Sequence, residues 1–153
     1  MENWVERCKT RLSAKIENGD PCGDVQRCIS WMGCIRANGY GWVKAEKLTG
    51  ERQSMNAHRF VYMVYAPCPD IPPYHDISHL CHNKSCVNLA HLSCEMHGIN
   101  VQRTNCSQMK KCTGHGNHPP CINLGLKHQQ TNQTTLFTSY IVIVLMLNIL
   151  LTL

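Results

Sequence analysis

Along the first twenty residues apolar side chains recur at every fourth position, at Trp4, Cys8, Leu12 and Ile16, with Lys and Arg on the other face. That spacing predicts a short amphipathic helix over residues 1–20, ended by Asn18-Gly19-Asp20-Pro21. The pattern then shortens. Residues 27–35 and 40–45 read as two β-prone runs around Asn38-Gly39, a hairpin signal, and a third strand is expected across Thr49-Gly50. Met55, His58, Phe60, Tyr62, Met63 and Val64 predict a second short helix between Ser54 and Tyr65, stopped before Pro67. Residues 69–73 read as a loop, residues 74–80 as an extended segment and residues 88–102 as a helix.

Composition narrows this to one modest core, since 153 residues with 43% hydrophobic and 16% charged side chains exclude collagen-like, coiled-coil and fully disordered classes. Eleven Cys and nine His are far above ordinary usage and call for disulfides or metal. The N-terminal residues hold acidic side chains and no long apolar run, and eleven is odd, so zinc-bound thiolates in a reducing compartment are expected rather than an extracellular disulfide scaffold. The net charge of +5 favours anionic partners only mildly, and two zinc sites of three thiolates and one neutral His would lower it to about +3. The expected organisation is an N-terminal helix over 1–22, a zinc-bearing domain over 23–126 and a tail over 127–153. No charged residue follows Gln129, and the eighteen residues from Leu136 to Leu153 reach the threshold length of a membrane span. Membrane association is the first expectation for that tail, ahead of burial in a dimer.

Seven Cys and eight His lie between His58 and Cys121. Cys81-x4-Cys86-x4-His91 places three ligands close enough to share one tetrahedral ion if Asn83-Lys84-Ser85 turns the chain. A fourth must come from Cys28, Cys34, Cys68 or Cys94. Cys106-x5-Cys112-x2-His115-x5-Cys121 is a second set, with His118 as an alternative to His115 and with Gly114 and Gly116 permitting a tight loop. Closed sites of this kind are structural, and their binding energy is folding energy.

His79 alternates with Cys81 on the extended segment, so it cannot easily join the same ion, and Asn100 follows twenty-one residues later. His79-Leu80-Cys81-His82-Asn83, Cys86-Val87-Asn88-Leu89-Ala90-His91-Leu92, Asn100 and the second ligand set together resemble the His-Cys box of homing endonucleases, a branch of the HNH or ββα-metal nucleases. The resemblance covers about residues 28–122. It implies an α+β fold, a small zinc-stabilised ββα-metal nuclease with an antiparallel DNA-binding sheet. It further implies a Mg²⁺-dependent endonuclease with His79 as general base and Asn100 as the protein ligand of one catalytic Mg²⁺. Two structural zinc ions would sit on Cys28, Cys81, Cys86 and His91, and on Cys106, Cys112, His115 and Cys121; Cys28 is chosen because the family's upstream ligand precedes a Tyr-Gly strand, here Tyr40-Gly41. His58-Arg59 resembles a recurrent pair in HNH relatives, and Arg59, Arg52 and Lys47 are candidates to brace the scissile phosphate.

That chemistry is self-consistent. A His of ordinary pKa about 6.5 is largely neutral at pH 7 and can take a proton from water, and an amide oxygen suits a hard cation. The implied partners are double-stranded DNA and a second copy of the chain, and the implied location is intracellular and nuclear. Arg36, Lys44 and Lys47 on the expected sheet would contact DNA, with Lys84, Arg103, Lys110 and Lys111 adding phosphate contacts. A zinc-stabilised DNA-binding module that does not cut, and a Cys-rich membrane-tethered interaction protein, are the alternatives.

Overall fold

A computed structural model describes residues 2–47, 49–66 and 70–122. Helix α1 spans Glu2–Ser13 and buries Trp4, Cys8 and Leu12. It is shorter than its apolar stripe predicts, because residues 15–16 leave the helix to pair with residues 31–32, Ile16 buried in an antiparallel bridge to Trp31 and Met32 N donating to Lys15 O at 2.7 Å; Asn18 and Gly19 then reverse the chain at positive φ. Residues 27–35 form no strand. Residues 29–31 bond to the metal loop, with Trp31 N donating to Ser85 O at 2.8 Å and Val87 N to Ile29 O at 2.8 Å, and only the end of the run keeps the hairpin pairing, with Trp42 N donating to Cys34 O at 2.9 Å and Ile35 bridged to Gly41. The Asn38-Gly39 turn does form, closed by Arg36 N to Tyr40 O at 2.9 Å.

Strand β1, Trp42–Glu46, pairs antiparallel with β2, Arg52–Asn56, from Trp42 opposite Asn56 to Glu46 opposite Arg52. The connection crosses Thr49-Gly50 as expected. Because residues 52–56 are strand, helix α2 begins at Ala57 rather than Ser54, and it ends at Tyr65, where Ala66 is extended ahead of Pro67. One core joins Trp4, Leu12, Trp31, Ala45, Phe60 and Val61. Trp31 lies on bare backbone at Gly41, where a Cβ would stand 2.5 Å from its Cδ1.

Residues 75–109 hold a strand, a metal-bearing loop, a second strand and a helix. Strand β3, His75–His79, pairs antiparallel with β4, Leu92–Met96, and α3 follows as His97–Met109. The single helix predicted over residues 88–102 is therefore corrected. With His91 at the metal cluster, the residues after it align beside β3, and helix starts only at His97. Lys110 ends α3 in the left-handed conformation, its N–H directed to the carbonyls of Cys106 and Ser107, which turns Cys112 back toward Cys106.

The result is a mixed α+β architecture of three helices and two small antiparallel sheets among the described residues. No described helix is long and apolar enough to cross a membrane. The membrane or dimer expectation for residues 136–153 lies outside the described residues, as does Cys68.

Candidate active site and metal centres

The donor atoms of Cys28, Cys81, Cys86 and His91 all lie within 4.8 Å of one another. His82, at φ +58, and the Asn83-Ser85 turn fold Cys81 back on Cys86, with Asn83 Oδ1 accepting from both the amide and the hydroxyl of Ser85. Cys28 reaches the cluster because Asn88, fully buried, donates to the carbonyls of Asp24 and Arg27 at 2.8 and 2.7 Å. His91 Nε2 donates to Val25 O at 3.0 Å, so the Nδ1 lone pair faces the sulfurs, 3.5 Å from Cys86 and 3.6 Å from Cys28. Cys34 is exposed and Cys94 sits on β4, and neither belongs to the cluster. The Cys81 thiol hydrogen-bonds the Cys86 sulfur, which lowers the Cys86 pKa and raises its own. A divalent cation would take the place of that shared proton.

Cys106, Cys112, His115 and Cys121 make the second cluster, with all four side chains buried. His115 Nε2 lies 3.6, 3.4 and 3.3 Å from the three sulfurs, while Nδ1 is held at 3.4 Å by Gln102 Oε1. His118 points elsewhere, 3.9 Å from Glu95 Oε2. Both clusters have the Cys₃His composition of structural zinc sites. Arg103 joins this centre to β4: its Nε and NH2 donate to the two Glu95 oxygens at 2.6 and 2.7 Å, and its NH1 donates to Cys121 Sγ at 3.6 Å. Arg103 is 1% exposed, so the expected phosphate contact is corrected; its charge is engaged inside the protein.

Between the clusters opens a cleft of about 340 Å³ lined by Tyr40, His58, Arg59, Asp76, His79 and Asn100, among others. His79 ends β3 at 9% exposure, and its Nε2 lies 2.9 Å from the Cys86 carbonyl. A carbonyl only accepts, so Nε2 carries the hydrogen and Nδ1 holds the lone pair. Burial pushes the His79 pKa below its ordinary value, partly offset by the Cys86 carbonyl, so the ring is neutral near pH 7. The His58 ring packs 4.3 Å from that of His79, with Tyr40 6.0 Å away. Burial, then the neighbouring His79 and Arg59, keeps His58 neutral too.

Asn100, on the first turns of α3, donates from Nδ2 to Asp76 Oδ2 at 2.9 Å. His97 Nδ1 lies 2.7 Å from the same oxygen, and Arg59 NH1 3.8 Å from Oδ1. Burial alone would raise the Asp76 carboxyl, but Asn100, His97 and Arg59 hold it below the usual carboxylate range. Asp76, Tyr40 and the Glu95–Arg103 pair escape a reading of the sequence, because their partners are set by strand register and helix packing rather than by local spacing.

The cations expected at the nucleic acid fall in two groups. Trp42, Lys44, Glu46, Arg52, Ser54 and Asn56 share one face of the β1–β2 sheet, with the Glu46 carboxylate paired to Arg7 and Arg11. The Arg36 guanidinium stands 5.4 Å over the Trp42 ring, and Asn56 also lines the cleft, so this face runs into it. Lys44, Arg36 and Arg52 are exposed. Lys47 lies beyond the strand, 3.7 Å from Glu51. Lys84 donates to Asn38 O at 3.1 Å and covers Tyr40.

Comparison with known proteins agrees with this geometry. The model of the zinc-binding loop region of homing endonuclease matches residues 36–133, which leaves the Cys28 ligand just upstream. Protein 7.7 of Escherichia phage T7 is 32% identical over 72 residues, 45% of this chain and 48% of that protein, so the chain spans about half the length of this curated relative. No solved structure matches the chain.

Proposed function

Since this chain belongs to the family of the homing-endonuclease zinc-binding loop, we propose that it is a Mg²⁺-dependent DNA endonuclease with His79 as general base. One observation carries the reading: the Cys86 carbonyl takes the Nε2 hydrogen of a buried, neutral imidazole, which leaves Nδ1 as a base in a cleft that also holds Asn100 and Arg59. Both the histidine and the Asn100 amide line that one cleft.

In this mechanism Nδ1 of His79 removes a proton from the attacking water, and the hydrogen bond to Cys86 O stabilises the imidazolium that forms. Arg59, half-buried on α2, pairs with a phosphoryl oxygen. Asn100 would hold the Mg²⁺, and its side chain fits: the NH₂ is spent on Asp76, which leaves the amide oxygen for a hard cation. When bound, the ion supplies charge stabilisation for the phosphate and the leaving 3′ oxygen. The sheet face with Arg36, Lys44 and Arg52 sits in the major groove, with Lys47 at its margin. The zinc ions do no chemistry; they lock strand, loop and helix so that base and cation site share the cleft. A second copy of the chain would supply the other strand's cut, and thiolate zinc sites suit a reducing compartment that contains DNA, as the nucleus does.

The test is nicking of supercoiled plasmid by the full chain. We expect nicking with Mg²⁺, none from the zinc-loaded protein when Mg²⁺ is withheld, and none from Asn100→Ala. A folded, zinc-loaded protein that binds the plasmid and leaves it intact across many sequences would favour the DNA-binding module.

A further inference from the structure

Asp76 carries no step of the chemistry above, yet it lines the cleft and is tied to two other lining residues, Asn100 and Arg59, and to His97 at the start of α3. Its Oδ2 accepts from Asn100 Nδ2 at 2.9 Å and lies 2.7 Å from His97 Nδ1, and its Oδ1 lies 3.8 Å from Arg59 NH1. The four groups come from β3, α2 and the start of α3, so the contact exists only when strand and helices are assembled.

An ionised carboxylate offers acceptors and no hydrogen, whereas an asparagine amide has one end that donates and one that accepts. The Asp76–Asn100 bond therefore decides which way the Asn100 amide faces. Its NH₂ must turn to Asp76, and its oxygen, the one atom of that side chain a hard cation can use, is kept clear of the pair. Without Asp76 the amide could rotate by half a turn and present NH₂ to the cation, and the side chain could leave its rotamer. A site competent in only a fraction of molecules binds more weakly by that fraction. His97 and Arg59 hold the carboxylate from its other sides, and Asp76 also lies where α3 begins, at the end of the helix that favours negative charge.

From this we infer that Asp76 is a positioning residue, which orients the Asn100 amide so that its oxygen can take a divalent cation. The inference rests on the reading of Asn100 as the cation ligand, and it concerns orientation, not ligation by Asp76 itself.

Two substitutions separate those roles. Asp76→Ala removes both charge and acceptor, while Asp76→Asn removes the charge but keeps an oxygen able to accept from Asn100. Manganese binding to the full, zinc-loaded chain, followed by the spin resonance of free Mn²⁺, reports on the site without any cleavage. The Mg²⁺ concentration for half-maximal nicking is read in parallel, and zinc content and thermal melting show that each variant is folded. We expect Asp76→Ala to weaken Mn²⁺ binding and raise the half-saturating Mg²⁺ about tenfold, with the rate at saturating Mg²⁺ within about threefold of wild type. Asp76→Asn should lose no more than about threefold in either.

Equal losses in the two variants would overturn the inference in favour of direct ligation or simple charge attraction, and no loss in either would overturn it outright. Mn²⁺ binding that Asn100→Ala abolishes and Asp76→Ala weakens, in a chain that nicks no DNA, would sink the nuclease reading and support the positioning role. Mn²⁺ binding indifferent to Asn100→Ala would overturn the inference whatever the nicking shows.

Discussion

Arg103 and Glu95 form a bidentate pair with about 1% and no exposure, and that pair holds β4, α3 and the second metal cluster together. Removing one partner of a buried pair strands the other charge. We predict that Glu95→Gln costs about 3–5 kcal/mol, read as a loss of thermal stability in the zinc-loaded protein, whereas Lys84→Gln, at an exposed contact, costs less than about 0.5 kcal/mol. The pair was illegible in the sequence because charged residues are ordinarily solvated and these two meet only through the turn from β4 into α3. Asp76 was missed for a related reason: it and Asn100 are 24 residues apart, and their meeting depends on β3–β4 register. His79 and Asn100 could be picked out, but through their place in a family pattern and not through any local signal of basicity or metal binding.

At the scale of elements, the short-range ligand spacings were readable because Cys81, Cys86 and His91 lie within one turn-rich loop. The fourth ligand was not fixed by spacing, since Cys28 arrives through Asn88 and the bridge of Ser30 to Cys86. The same bonding draws residues 28–31 away from a hairpin, and with His91 at the cluster β4 takes Leu92–Met96 out of the helix expected over residues 88–102. The two clusters should then differ in reach. Cys86 and its neighbour Val87 abut the main core, so Cys86→Ser is expected to unfold the protein globally. Cys112→Ser should fray residues 106–122 while β1, β2 and α2 stay protected, a contrast that amide hydrogen exchange resolves.

Glu17 ties the end of the N-terminal element to the loop that carries Cys28. It accepts from Ser30 N at 2.9 Å and from Arg27 at 2.6 Å. The Ser30 amide, then Arg27, lowers its pKa below the ordinary 4.5. A depressed carboxylate contributes stability that is fully present above its unfolded pKa and is lost as pH falls through the folded one. The gap in melting temperature between wild type and Glu17→Gln should therefore be widest above about pH 5 and close toward pH 3; a gap that grows on acidification would contradict this.

Over the described residues, a sheet face that bears Arg36, Lys44 and Arg52 runs into a cleft with a buried neutral histidine, and two Cys₃His clusters hold the loops of the fold. DNA affinity should come from that face. Removing Arg36, Lys44 and Arg52 together should lower the steepness of log affinity against log salt by about 2.7, as three lost phosphate contacts require, measured by fluorescence anisotropy with a duplex. An unchanged slope would move the DNA elsewhere on the surface.

The central claim is that His79 supplies the base while zinc supplies only the frame. Its most direct test compares single-turnover nicking by full-length wild type and His79→Ala at equal zinc content. The account predicts a fall of about 10²- to 10⁴-fold with two zinc ions per chain and DNA affinity retained. Wild-type nicking rates in the variant, or loss of zinc along with the histidine, would contradict it.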